Sequence, residues 1–183
     1  MVSMQINNQD SPLDKLEDNL RSMAARMPDL PFTEVLLCRL VMYAGREMAG
    51  GLEQKIRPFG LSEPEFRVLT TLFSQPDGVA HPSDLCSRAS QSPANMSRIS
   101  DALVSRDLIT RVLSLHDRRR MVLRITDQGE ELVRQLFPKM FRSLREMMSE
   151  FPETEQRQMI DLLKRLCAKM EQGAAGEISE RAP

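Results

Sequence analysis

A cluster of charged residues between two strand-like segments carries the strongest chemical signal in the sequence. Residues 109–115 and 121–125 are rich in β-favouring side chains, so together they predict a β-hairpin. The tip of this hairpin contains His116, Asp117, Arg118, Arg119 and Arg120. Guanidinium groups this close repel one another, and their planar shape matches a phosphate, so the tip favours a nucleic-acid contact. The alternative is a solvated loop in which Asp117 offsets part of the positive charge.

Two short predicted helices precede this hairpin. The first begins near Pro82 and ends at about Ala89, and the second is capped by Ser92 with Pro93 in its first position. The apolar stripe of the second helix consists of Met96, Ile99 and Leu103. Two helices joined by a tight turn and followed by a β-hairpin are typical of a winged helix-turn-helix, whose second helix enters the major groove. We therefore expect a mainly α-helical protein with a small β-hairpin wing.

Short polar side chains lie around the start of that second helix. Such groups can donate or accept hydrogen bonds at base edges and phosphates, and an arginine one turn in suits a phosphate contact. The candidate DNA-binding residues are Ser83, Gln91, Ser92, Asn95, Ser97 and Arg98, with Asp117, Arg118, Arg119 and Arg120 of the wing. Alone, the small polar residues would indicate a solvated helix face, and the neighbouring wing favours DNA binding instead.

The charge of the chain is unevenly distributed. Residues 82–125 contain eight Arg or Lys against four Asp or Glu, whereas all 183 residues have a net charge of −1. A basic region on an acidic remainder is typical of local nucleic-acid contact in an otherwise soluble protein. No apolar run approaches the length of a membrane span, and the N-terminus lacks a signal-peptide core. We therefore expect a cytoplasmic protein with double-stranded DNA, and no membrane, as its partner.

The few groups able to bind metals or act as nucleophiles argue against other functions. Cys38, Cys86 and Cys167 are far apart and odd in number, and the chain has only two histidines. This predicts a reducing compartment, no structural disulfide, no metal site and no cofactor. The sequence shows no Ser-His-Asp arrangement and no phosphate-binding loop, so we do not expect an enzyme. A winged-helix module that binds proteins rather than DNA remains an alternative.

The sequence resembles the MarR family of bacterial transcription regulators over residues 32–170. The resemblance lies in D-R-R-R-M-V-L-R-I-T-D-Q-G-E-E-L from Asp117 to Leu132, which matches D-x-R, a strand and L-T-x-x-G-x-x-L, and in N-M-S-R-I-S-D-A-L. The stretch L-P-F-T-E-V-L-L-C-R-L, after an extra N-terminal helix, is similar to the EmrR/MprA branch, repressors of multidrug-efflux operons. Asp107 occupies the position of the glycine in the R-G-L that is usual after this helix. Because glycine relieves a left-handed backbone conformation, we expect a slightly different turn there.

The resemblance implies a homodimer that binds a pseudo-palindromic operator, with Arg119 in the minor groove and Asp117 orienting it. The apolar stripes of the helices near both chain ends also predict a dimer, since they are larger than one small winged-helix domain can cover. The predicted organisation is residues 1–12 disordered, 13–60 N-terminal dimerisation helices, 61–125 winged helix-turn-helix, 126–172 C-terminal dimerisation helices and 173–183 flexible tail. Gly45, Gly50 and Gly51 predict a bend or frayed section in the first long helix, and Pro138 a kink in the helix after the wing.

Relatives in this family bind small amphipathic aromatic molecules between the dimer helices and the winged head. Carried over to this sequence, the effector-binding candidates are Tyr43, Arg46, Phe66 and Phe73, and an equal alternative is that they form ordinary core and surface charge. Peroxide-sensing relatives place a reactive thiol near the position of Cys38, which makes a redox sensor the second hypothesis. The apolar neighbours of Cys38, Leu36, Leu37 and Leu40, favour an inert thiol instead.

Overall fold

The computed structural model describes residues 11–113 and 121–180, with side chains as far as residue 172. This part of the chain is mainly helical with one small antiparallel sheet, as predicted. Its helices are α1 (Pro12–Ala24), α2 (Phe32–Ile56), α3 (Glu63–Phe73), α4 (Pro82–Arg88), α5 (Pro93–Ser105), α6 (Asp127–Met148) and α7 (Glu153–Glu180). Its strands are β1 (Val79–Ala80), β2 (Ile109–Leu113) and β3 (Met121–Ile125).

Two compact units make up the chain, Met1–Arg67 and Val68–Pro183. In the first unit α1 packs against α2 and completely buries Leu20. A capping box starts α1: the Ser11 hydroxyl accepts from the Asp14 N–H at 3.2 Å, and the Asp14 carboxylate accepts from the Ser11 N–H at 2.9 Å. The expected disordered boundary at residue 12 is therefore wrong for Ser11 and Pro12, which are the cap and the first residue of this helix.

Two segments that were expected to be frayed or flexible are helical. The first is in α2, which continues without fraying through Gly45, Gly50 and Gly51, whereas the alternative of a bend there stays a prediction. Glycine costs about 1 kcal/mol relative to alanine in a helix, which a run of good helix formers on both sides can offset. Helix α6 contains Pro138, and the predicted kink at that residue stays a prediction. Helix α7 extends to Glu180, so the expected flexible tail from residue 173 is helical over most of its length.

The second unit contains the sheet, in which β3 is the central strand of the order β1-β3-β2. Val112 pairs with Val122 in the hairpin, and Ala80 of β1 pairs with Leu123 on the other side of β3. The predicted inner stripe of α5 is confirmed, since Met96, Ile99 and Leu103 are all buried. Ser100 is also buried, and its hydroxyl donates to the Met96 carbonyl at 2.7 Å, so it leaves no polar atom unsatisfied.

The end of α5, the base of the hairpin and the start of α6 meet at one junction. Asp107 adopts the left-handed conformation that glycine would relieve, with φ at 55°. Its carbonyl accepts a hydrogen bond from the Thr126 hydroxyl at 2.7 Å, and the same Thr126 oxygen accepts from the Gly129 N–H at 3.0 Å, capping α6. The Thr126 N–H in turn donates to the Leu108 carbonyl at 3.1 Å. A Cβ at Gly129 would overlap that carbonyl oxygen and lie 2.9 Å from Ile125 Cγ1, so only glycine fits.

Replacing Gly129 with alanine should therefore destabilise the protein, because the added methyl group meets backbone that cannot move aside. We expect Gly129→Ala to lower the free energy of unfolding by about 1–3 kcal/mol, the usual cost of overpacking. Gly50→Ala is the matched control, since a Cβ there meets nothing within 4 Å. That variant should gain up to about 1 kcal/mol. Urea unfolding of both variants measures the difference, and equal stabilities would contradict the close approach at Gly129.

Candidate nucleic-acid interface

The N-terminus of α5 is held by the residues that the sequence marked as DNA contacts. Ser92 has extended backbone angles, φ −70° and ψ 155°, and its hydroxyl accepts the Asn95 N–H at 3.3 Å. Pro93 follows in the first turn, where its missing N–H costs nothing. Ser92 therefore has a structural role as the helix cap, and its hydroxyl hydrogen is still available for a contact outside the chain.

Two of the candidate side chains, Gln91 and Asn95, bind each other. Asn95 Nδ2 donates to Gln91 Oε1, and Gln91 Nε2 donates to the Ala89 carbonyl at 3.0 Å. Both side chains are half-buried. Ser90, in the turn just before, has a left-handed φ of 53°, which brings the chain round from α4 into this arrangement. The sequence marked these residues individually but did not predict the bond between them.

The remaining candidates on these helices surround the same end of α5. Ser97 and Arg98 are exposed, and Ser83 of α4 is exposed with its hydroxyl 3.4 Å from the Asp84 carboxylate. Ser83 and Ser97 both line a mainly apolar cavity of about 360 Å³ between α4, α5 and the hairpin. Apart from Ser83 on α4, the serine, amide and arginine candidates of the helix-turn-helix thus lie in the first half of α5 or directly before it.

An ion pair that sequence reasoning missed joins the hairpin to α5. Arg111 of β2 contacts the carboxylate of Asp101, and both side chains are exposed. An exposed pair of this kind contributes less than about 1 kcal/mol to stability. Its two residues belong to different elements, and no local spacing in the sequence connects them.

The wing residues Asp117, Arg118, Arg119 and Arg120 lie outside the described residues. The strands on either side of them end at Leu113 and Met121, which pair directly across the hairpin. Both of these side chains are exposed. The predicted basic tip therefore follows the last described pair of the two-stranded segment.

Comparison with known proteins identifies the family. The model of the MarR family matches residues 61–121. The transcriptional repressor MprA of Escherichia coli strain K12 is 31% identical to this chain over 163 residues, which are 89% of this chain and 93% of that protein. This chain belongs to the MarR family. It is a transcriptional regulator rather than an enzyme, as the sequence predicted.

Solved structures of the MarR family share the fold. AbsC, a MarR-family transcriptional regulator from Streptomyces coelicolor, gives a TM-score of 0.68 at 24% identity, over 77% of this chain and 95% of that one. The S. aureus MepR–DNA complex gives a TM-score of 0.64 at 21% identity, over 78% of this chain and 99% of that one. These likenesses confirm the predicted winged helix-turn-helix.

The effector-binding candidates that the MarR family suggests have partners within the chain. The guanidinium of Arg46 lies 5.2 Å from the centre of the Tyr43 ring, and it also contacts the Glu47 carboxylate at 3.3 Å. Phe66 is buried in the core, at 8% exposure. Phe73, in the second unit, packs edge-on against Phe137 with 5.8 Å between the ring centres. The Arg134 guanidinium lies over the Phe73 ring, 5.7 Å from its centre. Tyr43 and Arg46 are thus brought together, and Phe66 and Phe73 have packing roles.

The three cysteines are free thiols, and two of them, Cys38 and Cys167, are exposed. Leu37 and Leu40 beside Cys38 are exposed in the single chain as well, and the inert thiol stays a prediction. Among residues 11–113 and 121–180, no group of His, Cys, Asp or Glu side chains could hold a metal ion. In the same part of the chain, no helix is long and apolar enough to cross a membrane.

Proposed function

We propose that this MarR-family regulator is a dimeric, sequence-specific DNA-binding repressor, released from its operator by a small lipophilic or phenolic ligand and controlling efflux or stress genes. The observation that carries the proposal is the end of α5, where Gln91, Ser92, Asn95, Ser97 and Arg98 lie together. The N-terminal residues of a recognition helix are those that reach base edges. The excess of positive charge between residues 82 and 125 supplies attraction to phosphate.

Arg98 is the described residue best suited to a phosphate contact. Its position is turned away from the buried stripe of Met96, Ile99 and Leu103, and its side chain is exposed. A cation that neutralises one phosphate releases condensed counterions, so it contributes to affinity without reading sequence. The effect of Arg98 should therefore depend on salt and be nearly the same for every duplex.

The variant Arg98→Ala should weaken DNA binding and reduce the log–log slope of affinity against salt by about one. Fluorescence anisotropy of labelled duplexes over a series of salt concentrations measures both quantities. Arg157→Ala is the matched control, because Arg157 lies on α7 and is paired with Glu153 at 2.6 Å. If Arg98→Ala has the same salt slope as the wild type, Arg98 does not contact phosphate. If the affinity of the wild type for duplexes does not depend on salt, the protein-interaction module is favoured instead.

Exposed apolar side chains on three helices support the homodimer. Monomeric soluble proteins rarely expose large apolar patches, and such patches mark interaction surfaces. On α2 the exposed apolar residues include Leu37, Leu40, Val41, Met42 and Met48. On α6 they include Phe141, Leu144 and Met147, and on α7 Met159, Ile160, Leu162, Leu163 and Met170. The occupant that best explains these surfaces is a second copy of the chain, since two heads suit a pseudo-palindromic operator with half-sites about 34 Å apart.

A charge placed in this surface should separate the dimer. Leu163 is 47% exposed in the single chain, so Leu163→Glu would be tolerated if α7 faced water. If α7 is an interface, the variant should lose about 2 kcal/mol or more of association free energy, as at a hot spot. Sedimentation velocity at micromolar concentration tells the two apart. Ala168→Glu adds the same charge to the opposite face of α7 and should stay dimeric, and a folded monomeric wild type would disprove the homodimer.

Release by a ligand requires a difference in affinity between two states of the protein. A ligand shifts an equilibrium only as far as it binds one state more tightly than the other. Tyr43 and Arg46, stacked at 5.2 Å, offer a phenol and a cation that suit a phenolic or carboxylate ligand. Displacing Arg46 from Glu47 costs little, because that pair is exposed.

An effective ligand should weaken DNA binding roughly 5- to 150-fold, and DNA should weaken ligand binding by the same factor. Isothermal titration calorimetry with a panel of lipophilic phenols and benzoates, with and without operator duplex, measures this reciprocity. Tyr43→Phe combined with Arg46→Met should abolish the binding of the active compounds. Equal binding with and without duplex would exclude release by these compounds.

The redox sensor stays a second candidate because Cys38 is exposed. An accessible thiolate can be oxidised by peroxide to a sulfenic acid, which a thiol then reduces. If the duplex is released by hydrogen peroxide in the wild type and retained by Cys38→Ser, this candidate gains over the ligand. If N-ethylmaleimide fails to label Cys38 in the native protein, the thiol is not accessible and the redox sensor is excluded.

A further inference from the structure

We propose that Asn95 recognises one adenine in each half-site and that Gln91 is a positioning residue that fixes the orientation of the Asn95 amide. This inference rests on the proposed function, because its ligand is the DNA bound at the same helix end. It goes further by naming a base and the two atoms of that base which are read. The observation that carries it is the chain of hydrogen bonds from Ala89 through Gln91 to Asn95.

The orientation of both amides follows from the first member of this chain. The Ala89 carbonyl can only accept, so the part of the Gln91 amide that faces it must be the NH₂ group. The opposite part of the Gln91 amide is then its carbonyl oxygen, which also can only accept. Asn95 must therefore turn its own NH₂ group towards Gln91, as it does in the structure. An amide that could otherwise flip is thus assigned by its network.

This assignment decides which atoms of Asn95 are available to DNA. One hydrogen of Nδ2 is used by Gln91, which leaves the other hydrogen as a donor and Oδ1 as an acceptor. In the major groove adenine presents a matching pair, N7 as acceptor and the N6 amino group as donor. Guanine presents two acceptors, O6 and N7, so one of them would lie against the acceptor Oδ1 of Asn95 and repel it. Thymine offers one acceptor and a methyl group, and cytosine only a donor.

The position of Asn95 suits this role. Its residue is the third of α5, among the N-terminal residues of the helix that reach base edges. Its N–H is held by the Ser92 hydroxyl at 3.3 Å, and its side chain is half-buried and bound to Gln91. Backbone and side chain are therefore both ordered before DNA arrives, which lowers the entropy cost of forming the two base contacts.

The experiment replaces single atoms of the DNA. A duplex is first selected from a random pool with the wild-type chain, and its adenines are then replaced one at a time by 7-deazaadenine, which lacks N7, or by 2-aminopurine, which lacks the N6 amino group. Both bases still pair with thymine. At one adenine per half-site each replacement should weaken wild-type binding. Loss of the full two-bond contact corresponds to roughly 5- to 150-fold in affinity, so a replacement that removes one bond should cost no more than this.

The protein variants connect that adenine to Asn95 and Gln91. Asn95→Ala should bind the unmodified duplex more weakly and become insensitive to both replacements at that position. Gln91→Ala should keep the fold, but its preference for adenine over the other three bases should narrow, because the Asn95 amide is then free to rotate. Gln135→Ala removes an amide from α6 that binds only Glu131 among its described contacts, and it should keep full sensitivity.

The outcomes separate this inference from the function on which it rests. If no duplex is enriched and none binds, the proposed DNA-binding function fails. If a duplex binds but tolerates both replacements at every adenine, or if Asn95→Ala keeps its sensitivity, adenine reading by Asn95 is wrong and DNA binding stands. If Gln91→Ala reads adenine as strictly as the wild type, Gln91 has no positioning role.

Discussion

The close approach of Gly129 to the Leu108 carbonyl is the constraint on which the second unit depends. Because residue 129 has no Cβ, the first turn of α6 can lie directly against the chain that leaves α5. Thr126 closes the junction with bonds to Asp107, Leu108 and Gly129, and Gln128 adds a bond to the Arg106 carbonyl at 3.2 Å. Helix α5, the hairpin and α6 are thereby held in one arrangement by short-range contacts that tolerate little displacement.

This arrangement assigns separate tasks to the two ends of α5. The C-terminal end is fixed at the junction, and the Arg111–Asp101 pair ties the middle of the helix to β2. The N-terminal half carries the groups that we propose for DNA contact, Arg98 for phosphate and the Asn95 amide for a base. In the proposed mechanism, phosphate contacts supply salt-dependent affinity and the amide supplies discrimination.

Local signals in the sequence predicted much of this structure, and contacts between elements were not predictable. Ser92 was identified as a cap because capping depends on residues at most three apart. The stripe of Met96, Ile99 and Leu103 was identified from helical periodicity. The Arg111–Asp101 pair requires the distance between two elements, which one sequence does not give. The Gln91–Asn95 bond joins residues four apart, and it depends on the backbone path of the turn before α5. In α2, three glycines predicted a bend or a frayed section, and the helix does not fray there because propensity is only a weak preference that context overrides.

The central claim is that two copies of this head bind one DNA duplex through their recognition helices. Hydroxyl-radical footprinting of the wild-type chain on a selected duplex tests it most directly, because it records which sugars the protein covers. The account predicts two protected patches on the same face of the duplex, with centres about one helical turn apart, near 34–36 Å, or a multiple of that distance. A single protected patch, or uniform weak protection that disappears at moderate salt, would contradict it.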